Sequence, residues 1–276
     1  TGFALQHEEF DGRWHINQAE TGLATTEQSS KLNCTDQSLS LNENCNLIDD
    51  DFDGIVDNES GNTTYENDSQ YNCSDQNLPL EKSCNLIDDD GNGLADDVTG
   101  WDYINYDRSV QAGETNPYGS GTRHGSYVAA VAAGNTNNGA GIAGVNWNTS
   151  ILPIQAIDDD GYGNSLSVAR AVNYAVEQGA DVISMSLGGA YPDAYLRLSL
   201  QNALAQGVVI AAASGNDGCD CISYPANYPE IIAVGALDYS LGRASFSSYG
   251  ANLDITAPGV GMYTATWSAG NGTNGY

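Results

Sequence analysis

Short apolar runs alternate with segments of helical period over residues 150–256. Ile151 to Ile157 reads as a buried strand. From Ser165 to Gly179 apolar residues recur at Leu166, Val168, Ala169, Val172, Ala175 and Val176, a spacing that predicts a helix closed by glycine. Asp181 to Leu187 predicts a strand, Tyr195 to Gln206 a helix, and Val208 to Ala213 another strand. Ile231 to Ala236 and Leu253 to Thr256 continue the pattern. Such alternation specifies an α/β fold, a mostly parallel sheet flanked by helices, with chemistry at the carboxyl ends of its strands. Ser186 to Gly189 and Ser214 to Asn216 fall at two such ends.

Residues 33–97 break this rhythm with a tandem repeat. Asn33-Cys-Thr-Asp-Gln-Ser-Leu-Ser-Leu-Asn-Glu-Asn-Cys45 recurs 39 residues later as Asn72-Cys-Ser-Asp-Gln-Asn-Leu-Pro-Leu-Glu-Lys-Ser-Cys84. The copies run into Asp49-Asp-Asp-Phe-Asp-Gly-Ile-Val-Asp57 and Asp88-Asp-Asp-Gly-Asn-Gly-Leu-Ala-Asp96. Hard oxygens at alternate positions suit calcium, with Asp49, Asp51, Asp53 and Asp57 as ligands in one loop and Asp88, Asp90, Asn92 and Asp96 in the other. Gly54 and Gly93 permit the sharp turn, and the carbonyls of Ile55 and Leu94 add ligands. Ser60 and Thr99 stand where an EF-hand has its closing Glu, so these are short Asp-rich loops of another kind. The expected organisation is one large domain, residues 1–276, with 33–97 inserted as an irregular acidic segment.

Charge sharpens this picture. Acidic residues number 36 against 8 basic ones, a formal net charge of −28, and 19 of the acids lie within residues 34–107, where Lys82 is the only base. A balance so acidic excludes phosphate-driven nucleic-acid binding, and its concentration calls for counter-cations. No apolar run reaches the length of a membrane span. The repeat preserves Cys34 with Cys45 and Cys73 with Cys84 at one separation, so these are the natural disulfide pairs and favour a secreted or cell-surface setting. Cys219 and Cys221 are left open, a direct bridge between near neighbours being expected to strain.

His124-Gly-Ser-Tyr-Val-Ala-Ala-Val-Ala-Ala-Gly134 places a titratable ring at the start of a helix that is apolar on every face and therefore expected in the core. The positive end of the helix dipole disfavours imidazolium and keeps the ring available as a base. A lone histidine is more often structural. Its company reverses that.

Three blocks carry a resemblance to the subtilisin-like serine proteases: His124-Gly-Ser-Tyr-Val-Ala-Ala130, Ser184-Met-Ser-Leu-Gly-Gly189, and Ala211-Ala-Ala-Ser-Gly-Asn-Asp-Gly218 with Tyr224-Pro-Ala-Asn-Tyr-Pro229 after it. Ala244-Ser-Phe-Ser-Ser-Tyr-Gly250 and Ala257-Pro-Gly259 follow in the same order; Tyr127 and Ala130 depart from the usual residues. The resemblance implies a three-layer α/β fold and endopeptidase activity on peptide or protein substrates. It makes His124 the triad base and Asn216 the oxyanion donor, and it lays the peptide along Ser186, Leu187, Gly188 and Gly189. It puts the orienting Asp immediately before Thr1 and the nucleophilic Ser beyond Tyr276, so residues 1–276 alone are expected to be inactive. Asp102 matches a structural position of the family, and His7 and His15 also read as structural. The second acidic loop resembles a segment that some family members carry between the Asp and His motifs, which makes the first a duplication. The competing reading is a catalytically dead scaffold serving as a calcium-binding extracellular interaction module.

Overall fold

The computed structural model describes residues 2–5, 7–17, 92–94, 97–113, 116, 118–119, 121, 123–268 and 273–275. The chain divides into two compact units, residues 1–15 with 101–276, and residues 16–100. In the second, Asp97 is fully buried and accepts from the amides of Asn17 (3.0 Å) and Asn92 (2.9 Å), while Ile16 packs against buried Val98.

The first unit holds two parallel sheets. Strands β1 (Trp101–Asp102) and β2 (Ile154–Gln155) pair in register Trp101↔Ile154. The larger sheet has the order β3-β4-β5-β6, with β3 Val182–Met185, β4 Val209–Ala213, β5 Ile232–Leu237 and β6 Ile255–Pro258. A hairpin, β7 (Thr266–Ser268) and β8 (Thr273–Gly275), follows. The helices are α1 (His124–Ala133), α2 (Ser165–Glu177) and α3 (Ala194–Ala205), with a 3₁₀ turn at Glu8–Phe10. The α/β class expected from the alternating pattern is therefore present.

Local chemistry explains the boundaries. Asn164 caps α2 by accepting from Ser167 N–H at 2.9 Å, and Asp193 caps α3 through Leu196 N–H at 2.9 Å, satisfying donors that have no partner within the helix. The strand expected over Ile151–Ile157 contracts to two residues. Its partner β1 ends at once because Asp102 Oδ1 accepts from the backbone of Ile104 (2.5 Å) and Asn105 (3.2 Å), an Asx turn that competes with the ladder. Ile151 and Ile157 are left with isolated bridges to Trp14 and Gly163.

Helices α2 and α3 pack together, α3 against one face of the large sheet at β4 and α2 against β2, and Tyr174, Leu200 and Ile210 are almost completely buried. The opposite face stays apolar and open: Val182 is 60 % exposed and Ile255 54 %. A second core surrounds Phe10, Trp14, Ala129 and Ala130, with the Phe10 and Trp14 ring centroids 4.7 Å apart. Helix α1 departs from the expectation of burial all round. Gly125, Ser126, Ala129, Ala130 and Ala133 are buried, whereas Ala132 is exposed and Val128 borders a cavity. Small side chains let this helix sit close to the second core while one flank faces open space. Among the described residues no helix is long and apolar enough to cross a membrane.

Candidate active site

His124 is the first residue of α1, and its N–H donates to Gly121 O at 2.9 Å. One carboxylate shapes the loop before it. Asp159, only 1 % exposed, accepts from Gly113 N–H (3.0 Å) and Asn116 N–H (3.1 Å), and its own carbonyl accepts from Gly121 N–H at 2.7 Å. Two residues into the helix, buried Ser126 Oγ accepts from Ala4 N–H at 2.8 Å, which fastens the start of the chain to α1. The imidazole remains open at the surface, yet desolvation by the protein around it lowers its pKa from the ordinary 6.5. A ring neutral at pH 7 can accept a proton.

A cavity of about 940 Å³ opens beside the ring, lined by His124, Val128 and Ala132 on one wall and by Ser186, Leu187 and Gly188 on another. His15 and Tyr162 also reach it, and neither was singled out in the sequence as a site residue. Tyr162 is 75 % exposed; its N–H donates to Asp158 Oδ1 at 2.7 Å, in a Gly-Tyr-Gly turn that brings it to the cavity. Flanking glycines were the available signal, but His15 has none, because only the Trp14 to Ile151 pairing carries it there.

Ser186, Leu187 and Gly188 continue β3 beyond the sheet, and Gly189 exchanges two hydrogen bonds with Tyr224, at 2.8 and 2.9 Å. A Cβ on Gly188 would lie 2.8 Å from Ser223 Cβ, so only glycine fits beside Ser223 here. Ser214 to Asn216 leave the end of β4. Gly215 turns the chain with φ +107°, and a Cβ there would meet Ser223 Oγ at 2.6 Å. Asn216 is exposed on the far side of that turn. Ser223 N–H donates to Ser214 O at 2.9 Å, so the pair Ser223–Tyr224 links the Ser214–Asn216 segment to the Ser186–Gly189 segment. Asn216 is not part of the cavity wall that carries His124.

Cys219 and Cys221 are joined in a disulfide with Cα atoms 5.2 Å apart. Cys34, Cys45, Cys73 and Cys84 lie outside the described residues. So do Asp49, Asp51, Asp53, Asp57, Asp88, Asp90 and Asp96 of the expected calcium loops. Asn92 alone is described: Oδ1 accepts from Leu94 N–H at 2.8 Å, and Gly93 between them has φ +90°. Among the described residues no group of three or more His, Cys, Asp or Glu could hold a metal ion. His7 is buried and accepts from Glu9 N–H at 3.1 Å, capping the 3₁₀ turn.

The chain is similar to thermitase from Thermoactinomyces vulgaris, 39 % identical over 181 residues that cover 64 % of this chain and 62 % of thermitase. It is similar to subtilisin E from Bacillus subtilis (strain 168), 38 % identical over 190 residues covering 64 % of this chain and 50 % of that protein. It therefore spans between half and two thirds of the length of these curated relatives. Among solved structures, a mutant of the protease domain of PatA matches with TM-score 0.51 and 29 % identity, over 58 % of this chain and 59 % of that one. The profile of the subtilase family matches residues 1–275, and the chain belongs to that family.

Proposed function

We propose that the intact natural protein is a secreted serine endopeptidase in which His124 is the general base and Asn216 the oxyanion donor. The observation that carries this reading is one shared cavity: His124 and the Ser186–Gly188 segment line it together, and Ser223–Tyr224 ties that segment to the Asn216 turn. An extended peptide would lie along Ser186 to Gly189 by strand addition. A serine hydroxyl attacks the scissile carbonyl and gives its proton to His124, which passes it to the leaving amine as the C–N bond breaks. The Asn216 amide donates to the oxygen that takes up the negative charge.

The attacking Ser is proposed beyond Tyr276 and the orienting Asp immediately before Thr1. One feature supports this placement: the Ala4 to Ser126 bond holds the opening residues beside the His124 helix. Residues 1–276 alone are accordingly proposed to be inactive.

Calcium is proposed as the ligand of the acidic loops, because carboxylate and amide oxygens form a hard donor set. Asn92 already closes the tight turn such a loop needs. The test measures peptide-anilide hydrolysis and thermal melting of the intact protein with and without a chelator. Hydrolysis that disappears in His124→Ala, with melting lowered by chelation, is the expected result. Turnover that survives in His124→Ala overturns the protease reading, and unchanged melting overturns the calcium reading.

A further inference from the structure

Ser248 lies 32 residues beyond Asn216 and is completely buried, yet it bonds both peptide groups that flank that side chain. Its N–H donates to Gly215 O at 2.9 Å, and its Oγ accepts from Asp217 N–H at 3.2 Å. Those two groups belong to the peptides immediately before and after Asn216, so the pair of bonds fixes the orientation of the residue between them. The clamp is itself braced. Ser248 O accepts from Ser214 Oγ at 2.9 Å, and Ser248 Oγ lies 3.7 Å from Cys221 Sγ of the disulfide. The preceding Ser247 Oγ accepts from Ala236 N–H of β5 at 2.9 Å, and Tyr249 N–H donates to Cys219 O at 2.9 Å. Burial makes these bonds costly to lose, because no water replaces a missing acceptor.

We propose that Ser248 is a positioning residue for the oxyanion donor, holding the Asn216 amide in the orientation that meets the developing charge. This rests on Asn216 being that donor. Substitution by alanine removes the hydroxyl and frees the Asp217 side of the clamp while the Ser248 N–H remains. A donor allowed to swing loses transition-state stabilisation more than it loses ground-state binding.

The experiment is a double-mutant cycle on the intact natural protein, measuring kcat and KM for a peptide anilide in wild type, Ser248→Ala, Asn216→Ala and the double variant. Ser248→Ala is expected to lower kcat roughly tenfold with KM changed by less than about twofold. In the Asn216→Ala background the same change is expected to alter kcat by less than about twofold, since the group it positions is gone. An equal loss in both backgrounds, or no loss in wild type, overturns the proposal alone. An Asn216→Ala enzyme with undiminished kcat overturns the donor reading and this proposal with it. Should the alanine variant not fold, Ser248→Thr and Ser248→Val, alike in shape and differing in the hydroxyl, replace it. Thr must then exceed Val in kcat, and only where Asn216 is present.

Discussion

Asn216 leaves the end of a strand paired in register on both sides, Met185↔Ala212 and Ala213↔Val234, and its turn is bonded again by Ser223 and Ser248. His124 opens a helix whose lead-in loop is bonded, among the described residues, by the Asp159 carboxylate and by that of Asp160, which accepts from Asn116 Nδ2 at 2.8 Å. The first arrangement is over-determined by a sheet and several short bonds. The second rests, among the described residues, on two adjacent carboxylates and on the chain that crowds the imidazole. The bonds around the Asn216 turn therefore come from several separate segments, while those described for the loop before His124 converge on residues 159 and 160. Stiffness here follows from how many independent bonds meet at a turn, not from the hydrophobicity of the segment that carries it.

The contrast can be broken most sharply at the two functional side chains, in the intact protein. His124→Ala is expected to cut kcat by about 10⁶-fold, and Asn216→Ala by about 10²- to 10³-fold, both being magnitudes known for subtilisin itself. Steady-state kinetics on a peptide anilide would show the ordering, and a larger loss at Asn216 would reverse the assignment of roles. Asp159→Ala comes next. It removes the acceptor of the part-buried N–H groups of Gly113 and Asn116, so melting should fall and kcat should fall with it as the lead-in loop relaxes. Unchanged melting and activity would remove Asp159 as a support of the base.

Asp102 supplies the smallest effect, with a definite sign. Burial lifts its carboxyl from 3.8 to about 6, against the opposing pull of the Ile104 and Asn105 N–H groups. Between those values the folded chain keeps the proton while the unfolded chain has released it. The contribution of Asp102 to stability therefore falls as pH rises from about 4 to about 6 and is level above. Asp102→Asn keeps an oxygen for the two backbone donors, so it should remove that decline from a plot of Tm against pH. An identical slope in the variant would refute the shift.

Much of the scaffold was legible because its signals are local. Ser165 to Glu177 combines an Asn cap with a helical apolar period, and the strands at Val182, Val209 and Ile232 follow apolar runs. Strand β1 was not legible, since Trp101–Asp102 is too short to show a period and ends on its own side-chain turn. The site divides the same way. His124, Asn216 and the Ser186–Gly189 segment stand in recognisable blocks. His15 and Tyr162 reach the cavity, and Ser248 reaches the Asn216 turn, through pairings between residues far apart in the chain, which no window of sequence contains. The flank of α1 facing the cavity was missed for a related reason: an all-apolar pattern does not say which side meets a neighbour.

The pH dependence of kcat/KM for a peptide anilide, measured on the intact natural protein beside its His124→Ala variant, tests the central claim most directly. A base must be neutral to accept a proton, so activity should fall on the acid side as the imidazole is protonated, and the variant should lose that limb along with its turnover. The absence of an acid limb, or one that persists in the variant, would contradict the assignment of His124 as the general base.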